Sequence, residues 1–280
     1  MATTPASAPI LFDRALLGAR LARARREGAA TFLLERATED LADRLQAVSR
    51  SFSAAADIWT PGDGLVDAVR KRVASVDAVA FAEMEATGLA PGSLDLAVSA
   101  LAFQFVNDLP GVLAQIRRAL KPDGLLLAAM LGGDTLTELR QSFAAAEAEC
   151  EGGVSPRVAP FADLRDIGAL LQRAGFALPV TDVDRVVVRY SSAFALMADL
   201  RRMGATNVLR ERRHTPTRRA TMLRMAQIYG ERFADPDGRI RATFDIVWLS
   251  GWAPHDSQPK PLRPGSAKAS LEAAVKQVKR

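Results

Sequence analysis

One turn of the chain carries residue types that could hold a cofactor. Asp57 lies in a short apolar segment, which leads into a turn with two glycines, Gly62 and Gly64. A buried strand followed by a glycine-rich turn is typical of nucleotide-type cofactor sites, because glycine lets the backbone approach the ligand where a side chain would clash. Trp59 and Pro61 stand where further glycines are expected. The indole and the ring-locked φ of proline are expected to obstruct the ligand.

The hydrophobic pattern that surrounds this turn alternates between strand and helix periods. An almost continuous apolar run over 125–131 predicts a strand covered on both faces, which is typical of a parallel sheet. We therefore predict an α/β fold, a doubly wound, Rossmann-like sheet with N-terminal helices and a helical insertion near 192–234. The predicted strands cover about 54–58, 76–81, 94–98, 125–131, 183–190 and 243–249. The predicted helices outside the insertion cover about 14–27, 31–48, 63–73, 109–120, 134–146 and 161–174.

Sheets of this kind bind ligands beyond the carboxyl ends of their strands, and polar residues follow two predicted strands. Asn107 and Asp108 follow one of them, although such a pair before Leu-Pro also commonly starts a helix. Asp134 follows the apolar run. It could face the cofactor, or it could cap a helix in which Thr135 and Glu138 form a capping box. The sequence leaves both alternatives open.

Composition narrows the function classes. The chain has 280 residues, a net charge of +5, two histidines and one cysteine, Cys150. A disulfide framework is therefore excluded, and a His/Cys zinc site is disfavoured, so we predict no metal. No apolar run reaches the length of a membrane span. Arginines crowd 210–224, which favours a solvated helix face over nucleic-acid binding, because the aromatic and basic interleaving of single-strand readers is absent.

The N-terminal segment fits two alternatives. The first thirty residues are rich in arginine and poor in acids, which fits either a transit peptide or a packed amphipathic helix. We divide the chain into a leader with helices at 1–50, a central domain at 51–253 that carries the insertion, and an irregular basic tail at 254–280.

Several short motifs are more specific than this pattern. Ser93–Ser99 and Leu120–Gly124 resemble the fourth strand and the following turn of class I S-adenosylmethionine-dependent methyltransferases. Other motifs together resemble the mitochondrial and alphaproteobacterial complex I assembly factor 5 family. They are Phe12-Asp13-Arg14, Phe105-Val106-Asn107-Asp108-Leu109-Pro110, Gly132-Gly133-Asp134-Thr135-Leu136 with Glu138-Leu139-Arg140, Glu151-Gly152-Gly153 with Ser155-Pro156, Gly251-Trp252, His255 with Ser257-Gln258, and Arg263-Pro264-Gly265-Ser266-Ala267.

The resemblance implies a methyltransferase fold with S-adenosylmethionine as cofactor. In mitochondrial members it implies hydroxylation of an arginine on a complex I subunit during assembly. It also implies a protein substrate or complex I subunit as partner and a location in the bacterial cytoplasm or on the mitochondrial matrix side. Nucleic acid is not expected, and peripheral membrane contact stays open. The cofactor-side residues that it suggests are Asp57, Gly62, Gly64, Glu83, Asn107 and Asp134, with no catalytic residue assigned.

Two departures from the family pattern bear on the cofactor. The glycine-rich turn is degenerate, and the second strand should end in an acid that binds the ribose hydroxyls, for which Asp77 is the only candidate. These departures argue against intact cofactor binding. A non-catalytic assembly protein that has lost the cofactor is therefore one alternative. A small-molecule methyltransferase is another, because the malonyl-carrier-protein methyltransferases of biotin synthesis look similar.

Overall fold

A computed structural model describes residues 10–259, so the predictions for the leader before residue 10 and for the tail from residue 260 lie outside it. Six strands form one sheet. They are β1 Ala54–Ile58, β2 Ser75–Val79, β3 Leu94–Ala100, β4 Leu120–Gly132, β5 Ala177–Tyr190 and β6 Ile240–Trp252. Their order across the sheet is β2-β1-β3-β4-β6-β5; the strands β2, β1, β3 and β4 run parallel to one another, whereas β6 runs antiparallel to both β4 and β5.

Between residues 10 and 259, eight α-helices surround this sheet, and they confirm the predicted doubly wound fold. Side chains alternate across each strand, so Leu96 and Leu125 pack on one face with α2, α3, α5, α7 and α8. Ala97 and Leu126 pack on the other face with α4 and α6. The helices are α1 Arg14–Glu27, α2 Phe32–Ala47, α3 Gly64–Arg70, α4 Leu109–Ala119, α5 Thr137–Glu151, α6 Leu164–Arg173, α7 Ala193–Arg202 and α8 Arg219–Phe233.

The N-terminal helix α1 packs against the helical insertion. Phe12 forms an isolated β-bridge with Leu209, and the Asp13 amide donates to the Val208 carbonyl at 2.8 Å. Asp13 also caps α1, because its side chain accepts a hydrogen bond from the backbone amide of Leu16. These contacts place α1 beside the segment that joins α7 to α8.

The arginine-rich segment is neutralised by acids at the end of α5. Arg213 forms an ion pair with Glu151, and Thr221 donates to the same carboxylate at 2.6 Å. Arg224 pairs with Glu149. The insertion is therefore attached to α5 partly by charge, which gives these arginines a structural role.

The structure contradicts the alternative in which Asp134 caps the helix and Thr135 and Glu138 form a capping box. Helix α5 begins at Thr137, and its N-cap is Leu136 with a left-handed φ of 55°. The Asp134 amide donates to Asp245 at 3.0 Å, and the Thr135 hydroxyl donates to the Gly132 carbonyl at 2.7 Å. These contacts with β4 and β6 hold residues 133–136 in a turn, so the helix starts later than the local pattern predicts.

In the described part of the chain, no helix is both long enough and apolar enough to cross a membrane. Within the same residues, no cluster of three or more histidines, cysteines or acids could hold a metal ion.

Candidate functional site

The turn after β1 is closed by a buried tryptophan. The Trp59 amide donates to the Val79 carbonyl at 3.1 Å, and its φ of 64° lies in the left-handed region that favours glycine. The indole is 3% exposed and packs edge-on against Phe103, with ring centroids 6.5 Å apart. The backbone therefore keeps a glycine-like conformation here, while a large side chain fills the space beside the turn.

Asp57 is buried beneath this turn. The Thr60 hydroxyl donates to its carboxylate at 2.5 Å, and the same hydroxyl accepts from the Ala100 amide at 2.8 Å. Burial raises the pKa of Asp57 to about 6, although the hydrogen bonds from Thr60 oppose that shift. The carboxylate therefore ties β1 to β3 through Thr60.

Replacing Asp57 with asparagine is expected to stabilise the protein more at pH 8 than at pH 4. The folded-state pKa is raised, so folding favours the protonated form, and the stability that Asp57 contributes falls as pH rises from about 4 through 6. Asparagine removes the cost of a buried charge, which is worth up to ~3 kcal/mol at pH 8. Urea denaturation at both pH values measures the difference. Equal effects of Asp57→Asn at pH 4 and pH 8 would contradict the shifted pKa, and Asp77→Asn, at an exposed position of β2, is the control.

The end of β2 carries an aromatic residue where the resemblance requires an acid. Asp77 is exposed within the strand, and Val79 is followed by Ala80 and Phe81. The guanidinium of Arg14 lies 4.5 Å from the centre of the Phe81 ring and 4.9 Å from that of the Trp59 ring. A buried cation therefore lies between the carboxyl ends of β1 and β2.

Glu83 and Asn107 line a separate groove of about 580 Å³ near the N-terminal segment. The Asn107 carboxamide accepts from the Phe12 amide at 2.7 Å and donates to the Phe12 carbonyl at 3.2 Å. Glu85 accepts from the amides of Asn107 and Asp108 at 2.6 and 2.7 Å. Asn107 thus anchors the chain just before α1.

Asp134 lies elsewhere, at the edge formed by β5. Its side chain is 65% exposed and pairs with Arg185 at 2.8 Å, and Arg185 also holds buried Asp245 at 2.7 Å. Gly64 is the first residue of α3. Gly62 has a φ of 84° and lines a second cavity, the main cavity, which lies between the strand ends and the helices. The structure therefore does not bring the six predicted residues together in one site.

The main cavity has a volume of about 570 Å³. It lies between the carboxyl ends of the central strands and the helices α1, α2, α5 and α7. Its lining is largely apolar, and three arginines also line it, Arg25, Arg157 and Arg202. Among the described residues, none that line it carries a carboxylate.

These features do not fit S-adenosylmethionine. That cofactor carries a positive sulfonium, a positive ammonium and a negative carboxylate. The arginines of the cavity could pair only with the carboxylate, and no acid among the described lining residues could pair with either of the two positive groups. Trp59 and Arg14 also occupy the ends of β1 and β2, where the cofactor of a methyltransferase fold would meet the protein.

Two residues of this region had no assigned role from the sequence. Arg14 belongs to the Phe12-Asp13-Arg14 motif and to the arginine-rich first thirty residues, and neither pattern predicts that its side chain is buried. Gln104 is buried and bridges two strand ends, since it donates to the Leu101 carbonyl at 2.6 Å and accepts from the Leu131 amide at 3.4 Å. Only the fold brings these partners together.

One family model and two solved structures are similar to this chain. Residues 36–128 match the family model described as a methyltransferase domain. The chain is similar in fold to the YcgJ protein of Bacillus subtilis, with a TM-score of 0.51 and 12% identity over 78% of this chain and 99% of that one. A candidate methyltransferase of Bacillus halodurans gives a TM-score of 0.52 at 14% identity, with the same coverage.

Curated relatives are closer in sequence. The mitochondrial arginine-hydroxylase NDUFAF5 of Danio rerio is 38% identical over 262 residues, which cover 86% of this chain and 81% of that protein. The Dictyostelium discoideum protein of the same name is 46% identical over 65% of this chain, but the match spans only 42% of its own length. A malonyl-[acyl-carrier protein] O-methyltransferase of Laribacter hongkongensis is 40% identical over 66% of this chain and 60% of its own. The chain therefore belongs to the arginine-hydroxylase NDUFAF5 family and is built on a methyltransferase-type fold.

Proposed function

We propose that the protein acts in the assembly of respiratory complex I by binding a protein partner. The observation that carries the proposal is the extent of the match to the zebrafish relative, which covers 86% of this chain. A match of that extent must include the α7–α8 insertion, which closes the main cavity. Four further relatives of the same name are 46–48% identical over 64–65% of this chain, whereas the malonyl-[acyl-carrier protein] O-methyltransferase is 40% identical over 66%. Sequence identity therefore supports the assembly role more than a small-molecule methyltransferase.

The relatives are named as arginine hydroxylases, so we propose an arginine-bearing segment of a complex I subunit as the partner. The surface where the start of α1 meets the segment joining α7 to α8 would face the partner. We assign no chemical step to S-adenosylmethionine, because the residues around the main cavity do not fit it.

Deletion of the gene is expected to abolish assembled complex I. NADH:quinone oxidoreductase activity in membranes and the amount of assembled complex on native gels measure the effect, while succinate oxidation serves as the internal control. Expression of the intact chain should restore both readouts. Normal complex I in the deletion strain would refute the assembly role, and a growth requirement for biotin would favour the small-molecule alternative.

Millimolar S-adenosylmethionine is expected to leave the melting temperature of the purified protein unchanged. A ligand at 100 times its dissociation constant would stabilise the folded state by about 2.7 kcal/mol, which a melting experiment readily detects. The expected absence of a shift follows from Trp59 in the turn and from the lack of an acid among the described residues that line the cavity. A clear upward shift would show that the cofactor binds, and a methyltransferase known to bind it should be melted in parallel.

A further inference from the structure

We propose that the main cavity binds a single-chain amphipathic anion, such as a long-chain fatty acid. Its hydrocarbon chain would lie among the apolar side chains, and its anionic head would lie at Arg25 and Arg202. The proposal concerns the ligand of this cavity, goes beyond the assembly role and does not depend on it.

The size and lining of the cavity call for an apolar occupant. Protein interiors are close-packed, and few voids in them exceed the size of a water molecule. A volume of about 570 Å³ is in the range of small-molecule sites. Its walls include Leu17 from α1, Leu139 and Phe143 from α5, and Met203 at the end of α7. A hydrocarbon chain would restore the packing contacts that these side chains lack when the cavity is empty.

The mouth of the cavity is cationic. Arg202 donates from Nε to the Gly28 carbonyl at 3.0 Å, and the Ala30 amide donates to the Arg202 carbonyl at 3.2 Å. These bonds hold the end of α7 beside the connection between α1 and α2, and Arg25 lies in the last turn of α1, just before that connection. Both arginines are exposed and line the cavity, so they lie where it meets solvent.

Nearby acids leave part of this charge unpaired. Arg202 contacts Asp199 at 3.4 Å. Glu27 contacts Arg23 at 3.9 Å and Arg201 at 3.7 Å, and it does not line the cavity. Within residues 10–259, Arg25 has no hydrogen-bond or ion-pair partner. A carboxylate head placed here would gain a charge-assisted contact with guanidinium groups.

Arg157, the third arginine that lines the cavity, is not expected to bind the anionic head of the ligand. Arg157 donates from Nε to buried Glu147 at 2.8 Å, and its guanidinium lies 5.2 Å from the centre of the Phe143 ring. Its charge is therefore already balanced by a carboxylate. The polarity of the cavity thus predicts one orientation, with the chain inside and the head at the mouth.

A fluorescent fatty acid, dansyl-undecanoate, tests the proposal on the purified full-length chain. We expect saturable binding of one probe per chain, with displacement by palmitate. Displacement by neutral hexadecanol should be weaker by about tenfold, and cationic hexadecyltrimethylammonium should be weaker still. Displacement by phosphatidylglycerol vesicles without displacement by free palmitate would overturn the proposal, because that lipid carries two acyl chains. Displacement by free palmitate alone would identify a soluble fatty acid.

Two variants separate the head site from the chain site. Arg25→Glu should weaken probe binding by about tenfold or more, whereas Arg26→Glu makes the same charge change on an exposed position of α1 that does not line the cavity, and should leave binding nearly unchanged. Leu34→Trp should fill the cavity and remove binding, with circular dichroism to confirm folding. Equal binding by Arg25→Glu and Arg26→Glu, tighter binding of the cationic probe, or no saturable binding would each overturn the proposal. None of these outcomes bears on complex I assembly in the deletion strain.

Discussion

Replacing Arg14 with alanine will destabilise the protein by about 3–5 kcal/mol. Its side chain is buried and donates to the Ala82 carbonyl at 2.7 and 3.2 Å and to the Phe105 carbonyl at 3.4 Å. Glu85 lies 3.6 Å away. Burial lowers the pKa of Arg14, and Glu85 opposes that shift. Alanine would leave two half-buried carbonyls without this donor and would remove the side chain packed against Trp59.

Thermal and urea unfolding measure this effect, with a fall in melting temperature of roughly 10 °C. Arg14→Lys keeps the charge but loses the planar fork of donors, so we expect an intermediate loss of stability. Arg26→Ala, at an exposed position of the same helix, should stay within about 0.5 kcal/mol of the original protein. Similar stabilities for Arg14→Ala and Arg26→Ala would show that Arg14 does not hold α1 against the strand ends.

Replacing Glu138 with alanine will cost about 2–4 kcal/mol. Glu138 is 6% exposed, and its carboxylate accepts both the amide of Thr243 at 3.1 Å and the hydroxyl of the same residue. Thr243 lies in β6, where alanine at position 138 would leave two buried donors without an acceptor. The loss should appear as a lower urea midpoint with an unchanged slope, because the folded structure otherwise persists.

Glu138→Gln is the matched variant for this prediction. It keeps one acceptor for Thr243 and should lose clearly less stability than Glu138→Ala. Gln141→Ala on the exposed side of α5 controls for the change in helix propensity. If Glu138→Ala and Gln141→Ala were equally stable, the bonds to β6 would carry no net stabilisation.

The local pattern of apolar residues was sufficient to predict most helices and strands of the fold. The predicted strand at 54–58 agrees with β1 Ala54–Ile58, and the helices predicted at 14–27 and 109–120 agree with α1 and α4 within one residue. These elements follow from the spacing of apolar residues and from the residues that stop a helix, both of which act over a few neighbours. Strand ends were less accurate. β5 begins at Ala177, several residues before the predicted start, because pairing with β6 extends it past its β-branched run.

The candidate site was predictable only in part. The presence of Trp59 and Pro61 in the turn after the first strand was visible in the sequence. The separation of Asp57, Asn107 and Asp134 was not visible, because Asp57 lies near the end of β1, the other two follow strands, and the partners of those two are distant in sequence. Asn107 binds Phe12, whereas Asp134 binds Arg185. Because of those contacts, Asn107 and Asp134 lie at different places in the structure.

The sequence by itself determined the α/β fold, the family and the replacement of glycines in the turn after β1, since these depend on residue identity and short-range spacing. Only the tertiary structure decided that Arg14 fills the gap between the ends of β1 and β2 and that an apolar cavity with a cationic mouth lies beside them. The physical reason is that burial and charge balance depend on which distant segments meet. Arg14, Phe81 and Trp59 come from separate elements and acquire a common role only when the chain folds.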